Sequence, residues 1–436
     1  MENPIVCKFG GTSVASAAQI RKVEAIVRAD PRRRFIVPSA PGKRHANDKK
    51  ITDLLYTCHQ LAAQGLSFQE PFQLIREHYG EIVRGLEVST PLDTELETIA
   101  AAIRDGANRD YVASRGEYLS GLILADLLGA RFVDPADGIR LTADGRLDPA
   151  SYALLAPLLQ GEGLFVVPGF YGRGADGQIR TFSRGGSDIS GAVVARAVGA
   201  AVYENWTDVC GLLMADPRTV PEARTMREVT YRELRELSYM GASVFHEEAM
   251  FPVRQANIPI NIRNTNEPDD PGTLILPTRD ASATPIVGIA GRPHFCMLFI
   301  EKELMNKERG FGRKVLEIIE DHGISFEHAP TGIDSMCVIF REEELDSQAE
   351  HIIADIEHAL KPDRVEIISG LALIATVGEG MAYRVGTAAR LFTAVAAAGV
   401  NVRVIAQGSS EINIIIGVDE KDFPTTVQAI YHAFVK

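Results

Sequence analysis

Beyond Pro285 the 436-residue sequence sets out one pattern of apolar runs and then repeats it, which few folds can accommodate. A strand-like run at His294–Glu301 leads to a helix over Gly310–His322, then to strands in "GISFEHA" and "SMCVIFR". A helix near Leu345–Leu360 and a strand at Val365–Ile368 complete a βαββαβ unit. The second copy reads strand Leu371–Val377, helix about Val385–Ala398, strands "VNVRVIAQ" and "EINIIIGVD", and helix about Phe423–Phe434. It stops one strand short, which would leave an open sheet edge. The spare run "PIVGIAG" (285–291) precedes the first unit, so strand counting predicts that it completes the second, with the first inserted between.

The first two thirds alternate short strands ("PIVCKFG", "RFIVPSAPG", "ARFVD", "GLFVVPGFY", "AAVYENW") with amphipathic helices, the pattern of an α/β fold with a mostly parallel sheet flanked by helices. "NIPINIRNT" reads as the last strand of that domain, and the Pro- and Asp-rich stretch after it as the boundary. A formal net charge of −13 argues against nucleic acid or an anionic membrane as partner, but leaves room for a small anionic substrate. Five scattered cysteines without a CxxC pair read as reduced thiols, and with no signal peptide or membrane-length apolar run the expectation is a cytoplasmic protein.

Two turns stand out. In "IVCKFGGTSV" a strand carries Lys8 to its end, and Gly10 and Gly11 precede a helix. Glycines allow close backbone approach to phosphate, helix starts attract anions, and a lysine there can neutralise phosphoryl oxygens. Taken alone, the turn is equally a tight connection whose lysine snorkels to water. "FSRGGSD" repeats the logic: a strand ends at Arg184, a bidentate grip for carboxylate, and Ser187 and Asp188 open a helix. Either residue can instead be a simple N-cap. "RGEYLSG" places Glu117 at a helix start, where it favours the dipole or receives an ammonium group. The glycines of "YGRGADG" match GxGxxG but lie between strands, so an Asp-Gly hairpin is expected there and not a dinucleotide site. His246-Glu247-Glu248 lacks a second ligand, and no metal-binding side chains are expected.

Taken together, "KFGGTS", "VPSAPG", "ITDLL", "RGEYLS", "FSRGGSD", "WTDVCG", "ADPR" and "NIPINIRNT" resemble aspartate kinase along nearly the whole chain. The resemblance implies an amino acid kinase-like (carbamate kinase-like) catalytic domain over residues 1–275 and two ferredoxin-like ACT domains. These would span 292–368, and 285–291 with 369–436. It implies phosphorylation of the L-aspartate β-carboxylate by ATP with Mg²⁺, the first step of lysine, threonine and methionine biosynthesis. The enzyme would be monofunctional, because the repeat fills the C-terminal third.

By position, the resemblance puts Lys8, Gly10, Gly11 and Ser39 on the phosphates and Asp188 among the reacting groups. Thr52, Glu117 and Arg184 would hold aspartate, and Thr207, Asp208 and Arg218 ATP. The family pattern is broken at Ser243, where many relatives carry a nucleotide-site lysine, and at Leu213, where an aromatic residue is common. Met305, Gly310, Phe311, Gly312 and Glu327 match the effector segment of lysine-inhibited relatives. A homodimer or homotetramer through the ACT domains, inhibited by lysine or threonine, is the implied assembly. A kinase for another carboxylate, such as N-acetylglutamate, and a non-catalytic amino-acid sensor are the alternatives. Glu117 and the two ACT units stand against the first, and retention of Lys8, Arg184 and Asp188 against the second.

Overall fold

In the computed structural model, which describes residues 3–435 except 184, 243–246, 283, 346, 383 and 409, the chain divides into two compact units. The first comprises Met1–Leu212, Thr225–Tyr231 and Phe245–Arg279; the second comprises Leu213–Arg224, Arg232–Val244 and Asp280–Lys436.

The first unit is built on strands β1 (Ile5–Phe9), β2 (Arg33–Pro38), β3 (Arg131–Phe132), β4 (Arg140–Leu141), β5 (Phe165–Val166) and β6 (Tyr171–Gly174). These are followed by β7 (Ile179–Thr181), β8 (Val202–Thr207), β9 (Glu228–Thr230), β10 (Ile260–Asn264) and β11 (Thr273–Leu276). Among the described residues, eight of them form one sheet in the order β3-β5-β2-β1-β8-β10-β11-β9. Every pair from β3 to β10 is parallel, and all five residues of β1 are buried. A strand buried on both faces explains why "IVCKF" shows no polar alternation. The chain steps from β1 to β2 on one side and later to β8 on the other. The C-terminal ends of β1 and β8 therefore form a switch point, where open α/β sheets bind ligands.

Helices cover this sheet. Helix Ala17–Ala29 is capped by Ser16, whose hydroxyl accepts from Gln19 N, and it buries Ile20, Val23, Ile26 and Val27 at helical spacing. Helix Arg109–Leu128 is capped by Asn108 and ends at Gly129 in the left-handed conformation. Most of its length is buried on every side, as befits a central helix.

Three sequence expectations change here. Glu117 lies in the interior of Arg109–Leu128, not at a helix start, so the helix dipole does not account for it. The strand before "RGGSD" ends at Thr181, three residues ahead of Arg184. And β10 is not the last strand: β11 follows it, inside the stretch read as a linker, and pairs antiparallel with it. The tight turn explains this. Gly272, at φ 70°, donates its N–H to Asp270 Oδ1, and a Cβ there would collide with the Ile262 carbonyl. The "YGRGADG" glycines do fall in an antiparallel hairpin, β6–β7, turned by Gly177.

The second unit carries strands β12 (Gly288–Glu301), β13 (Phe326–His328), β14 (Ser335–Arg341), β15 (Arg364–Val377), β16 (Val404–Ala406) and β17 (Asn413–Asp419). Their order is β13-β14-β12-β15-β17-β16. The runs at 285–291 and 294–301, read as separate strands, fall largely in one 14-residue strand, β12. Gly288–Arg292 pairs with Leu373–Val377 and Phe295–Glu301 with Arg364–Leu371 of β15, across a bulge where His294 takes φ 69°. Two apolar clusters lie on this sheet. One contains Leu298, Phe311, Val338 and Ile352; the other contains Ile289, Ile374, Leu391 and Ile416. Ala215 and Val220 belong to the second cluster, and Arg224 N donates to the Tyr431 hydroxyl at 2.9 Å. Among the described residues no helix is long and apolar enough to cross a membrane.

Candidate active site

Lys8 sits one residue from the end of β1, and its neighbour across the β1–β8 pair is Asn205. Its side chain is 10% exposed, and Nζ lies 2.6 Å from Asp188 Oδ1. Asn205 bridges the two: Oδ1 accepts from Lys8 Nζ at 3.4 Å and Nδ2 donates to Asp188 Oδ1 at 2.9 Å. Asp188 stands in the first turn of helix Gly186–Ala197, whose N-cap is Gly185, with no side-chain cap. The capping alternative for Asp188 therefore fails, and its carboxylate is directed at Lys8.

The glycine turn divides its labour. Gly10 N–H donates to the Trp206 carbonyl at 2.9 Å, so it is committed to the fold and is not a free phosphate donor as expected. Gly11 opens the short 3₁₀ turn Gly11–Val14, where the first N–H groups lack intrahelical acceptors. It also packs against the loop after β2: Gly42 N donates to Gly11 O at 2.8 Å, and a Cβ on Gly42 would sit 2.9 Å from the Gly11 carbonyl carbon. Ser39, whose N–H donates to the Phe9 carbonyl at 3.0 Å, is held beside the same turn.

Glu117 joins the site through this loop. Gly116 lets the central helix approach the Ala40 methyl, and the Ala40 N–H donates to the Glu117 carboxylate. Glu117 is 5% exposed and its Oε2 has no partner. Burial, only partly offset by the Ala40 N–H, pushes its carboxyl up to about 8. Thr52 lies in the first turn of helix Ile51–Ala63 and is partly exposed. An unpartnered buried carboxylate oxygen awaits a cation or hydrogen-bond donor.

On the other face of β8, Glu204 ties the sheet together. It accepts from Arg33 Nε at 2.9 Å, Trp206 Nε1 at 2.9 Å and the Cys7 thiol at 3.3 Å. Burial and the adjacent Glu204 push the Cys7 thiol well up, so it is no nucleophile. Thr207 and Asp208 follow at the end of β8, and the Thr207 hydroxyl donates to Asp208 Oδ1 at 3.1 Å. Arg184 and Ser243 lie outside the described residues, as does His246.

Other expected site residues fall elsewhere. Leu213 and Arg218 belong to the second unit, where Arg218 is paired with Asp216 at 2.6 Å and its side chain is 90% exposed. Met305 and Phe311 are core residues of the second unit, leaving their backbone for any ligand, while Gly310, at φ 79°, caps helix Phe311–Asp321 and Gly312 lies in its first turn. Glu327 is not part of that loop within one chain. It flanks Phe326, opposite Phe340, and is engaged by Arg341 at 3.3 Å and by the Tyr239 hydroxyl. The loop instead abuts the other end of β14, with Asn306 N donating to Ile333 O and Leu304 N to Asp334 Oδ1. Six positions, from Asp334 to Phe340, or roughly 20 Å, separate those ends. The motif spacing carried no information about strand ends, which is why the sequence grouped them.

Sequence reasoning missed Asn205, Glu204 and Ala40. The available signal was two adjacent polar residues, "EN", inside the apolar strand "VYENW".

Comparison with known proteins agrees with this geometry. Residues 3–264 match the model of the amino acid kinase family, and residues 374–434 match an ACT domain. Aspartokinase 3 of Bacillus subtilis is 41% identical, over 98% of each chain. The solved aspartate kinase of Clostridium acetobutylicum, described as an allosteric enzyme, is 47% identical with a TM-score of 0.90, covering 99% of this chain and 100% of that one. Escherichia coli aspartokinase III, 27% identical with the same coverage, has been solved with aspartate and ADP (TM-score 0.70) and with lysine and aspartate (TM-score 0.71). With the Lys8–Asp188 pair at the switch point of a parallel sheet, and relatives aligned end to end, the chain belongs to the amino acid kinase family, among its aspartate kinases.

Proposed function

We propose that Lys8 and Asp188 organise phosphoryl transfer in this aspartate kinase and that Glu117 receives the substrate ammonium. The observation that carries this is the buried, unpartnered Glu117 Oε2, joined through the Ser39–Ala40 loop to the turn that bears Lys8. In ATP + L-aspartate → 4-phospho-L-aspartate + ADP, the β-carboxylate oxygen attacks the γ-phosphorus and the bond to the ADP oxygen breaks. No covalent enzyme intermediate is needed, so alignment and charge neutralisation supply the catalysis. Lys8 neutralises phosphoryl oxygens and Gly11 lends its N–H. Ser39 lines the phosphates, Thr52 contacts aspartate, and Arg184 grips a substrate carboxylate. Thr207 and Asp208 face the nucleotide, with Arg218 assigned there on the resemblance alone. Asp188 and Asp208 offer hard carboxylate oxygens that would hold the Mg²⁺ of MgATP, which would supply further charge neutralisation for the phosphates.

We read residues 292–368, and 285–291 with 369–436, as two ACT domains that feed back on activity. Lysine is favoured over threonine as the effector, since a lysine-bound relative has been solved. Because one chain separates Glu327 from the Met305–Gly312 loop, a pocket using both requires two chains, so the effector-binding form is a homodimer or a tetramer of such dimers. Five free cysteines fit a reducing cytoplasm.

The test is hydroxylamine trapping of the acyl phosphate with aspartate or N-acetylglutamate, with and without lysine and threonine. Turnover with aspartate, relieved of lysine inhibition by Glu327→Ala, supports the reading. Inhibition unchanged by Glu327→Ala removes the proposed pocket, and turnover only with N-acetylglutamate removes the substrate assignment.

A further inference from the structure

Asn205 stands between the two charged groups assigned to transfer. The parallel β1–β8 register sets it beside Lys8, on the same face and one strand spacing away. It is 4% exposed, and its amide uses both ends: Oδ1 accepts from Lys8 Nζ at 3.4 Å and Nδ2 donates to Asp188 Oδ1 at 2.9 Å. Turning the amide over would set NH₂ against an ammonium and oxygen against a carboxylate, so the pair dictates one orientation. Two positions earlier on the same face, the Tyr203 hydroxyl donates to the Asp188 carbonyl at 3.1 Å. Strand β8 thus holds Asp188 by backbone and side chain together.

The contact between Lys8 and Asp188, 2.6 Å, is in competition with phosphate for the same ammonium. When Lys8 turns to a phosphoryl group, a largely buried carboxylate loses its closest cation, which is costly unless another donor remains. Asn205 Nδ2 is that donor. Its neutrality matters as well. A carboxylate at this position would give Lys8 a second anion and repel Asp188, while an apolar side chain would leave Asp188 to Lys8 alone.

We propose that Asn205 is a positioning residue of the phosphoryl-transfer site, aligning Lys8 with Asp188 and keeping Asp188 hydrogen-bonded while Lys8 engages phosphate. The inference rests on the assignment of Lys8 and Asp188 to transfer. It is tested in the full-length enzyme with MgATP and aspartate, measuring kcat, both KM values and Tm for Asn205→Leu and Asn205→Asp, with Lys8→Ala as reference. Misalignment at a reacting centre costs up to roughly 100-fold, so kcat of Asn205→Leu should fall about 10- to 100-fold while both KM values stay within about threefold. Asn205→Asp, the same shape without the donor, should lose kcat in the same way. If Asn205→Leu fails to fold, Asn205→Asp decides alone. An unchanged kcat, or kcat and KM failing together in step with Tm, overturns the proposal. Full turnover in Lys8→Ala refutes the site assignment, and this inference with it.

Discussion

Glu117 brings pH-sensitive chemistry to the first unit. Its carboxyl rises from an ordinary value near 4.5 to about 8 because burial penalises the anion, with only the Ala40 and its own backbone N–H groups and Arg115 pulling the other way. At neutral pH the free site therefore holds a proton, and an arriving ammonium must displace it. Two consequences follow by linkage. Aspartate binding at pH 7 should release close to one proton per site, and affinity should rise by up to about tenfold per pH unit until about pH 8. Calorimetry in buffers of different ionisation enthalpy reads the proton count, and Glu117→Gln should abolish it. For stability the sign is opposite. A raised folded-state value gives stabilisation that is complete below about pH 4.5 and is lost as pH rises through about 8, so Glu117→Gln should gain on the parent in alkaline melts. Proton release unchanged in Glu117→Gln would place the titrating group elsewhere. Lys8 and Arg184 divide along a different line: Lys8→Ala should chiefly depress kcat and Arg184→Ala chiefly raise the aspartate KM. The reverse split would mean the cleft has been read the wrong way round.

At the scale of elements, the site depends on how closely the central helix Arg109–Leu128 approaches the loop after β2. Gly116 sets that distance: a Cβ there would lie 2.7 Å from the Ala40 methyl and 3.4 Å from Ile51 Cγ2. Glycine to alanine inside a helix normally gains up to about 1 kcal/mol. Overpacking a filled contact costs about 1–3 kcal/mol, so packing should win and Gly116→Ala should be the less stable protein. Its aspartate KM should also rise, because the displaced loop carries the Ala40 N–H that steadies Glu117. A variant with higher Tm and unaltered KM would show that the loop yields freely. These elements also mark what could be read from sequence. The Lys8 turn was legible because strand, glycines and helix start are contiguous, and Asp188 because its loop repeats that logic. Asn205 was not, since its importance arises from a register between strands 197 positions apart. Glu117 was recognised as a site residue but placed at a helix start, although the Gly106–Asn108 stretch and its Asn108 cap mark the true start at Arg109. Strand β11 was hidden by the turn residues that create it.

In the second unit, β12 and β15 each run 14 residues and contribute one half to either apolar cluster. Sequence counting reads two separate strands here and not one continuous strand, because the bulge at Arg292–Phe295 breaks the alternation just where the halves join. The continuity has an energetic consequence. Two domains on a flexible tether would lose protection separately, whereas halves sharing two unbroken strands should open together. Leu298 is fully buried in the first cluster, and truncating it to alanine should cost about 2–5 kcal/mol. Residues Leu371–Val377 pair with β17, Leu373–Val377 also pair with the far half of β12, and Ala372 and Ile374 belong to the second cluster, not to that of Leu298. Hydrogen exchange on the full-length Leu298→Ala protein should nevertheless show faster exchange in both Phe295–Glu301 and Leu371–Val377. Faster exchange confined to the first segment would mean that the bulge uncouples the halves. An effector signal entering at the Met305–Gly312 loop would then have no path along β12.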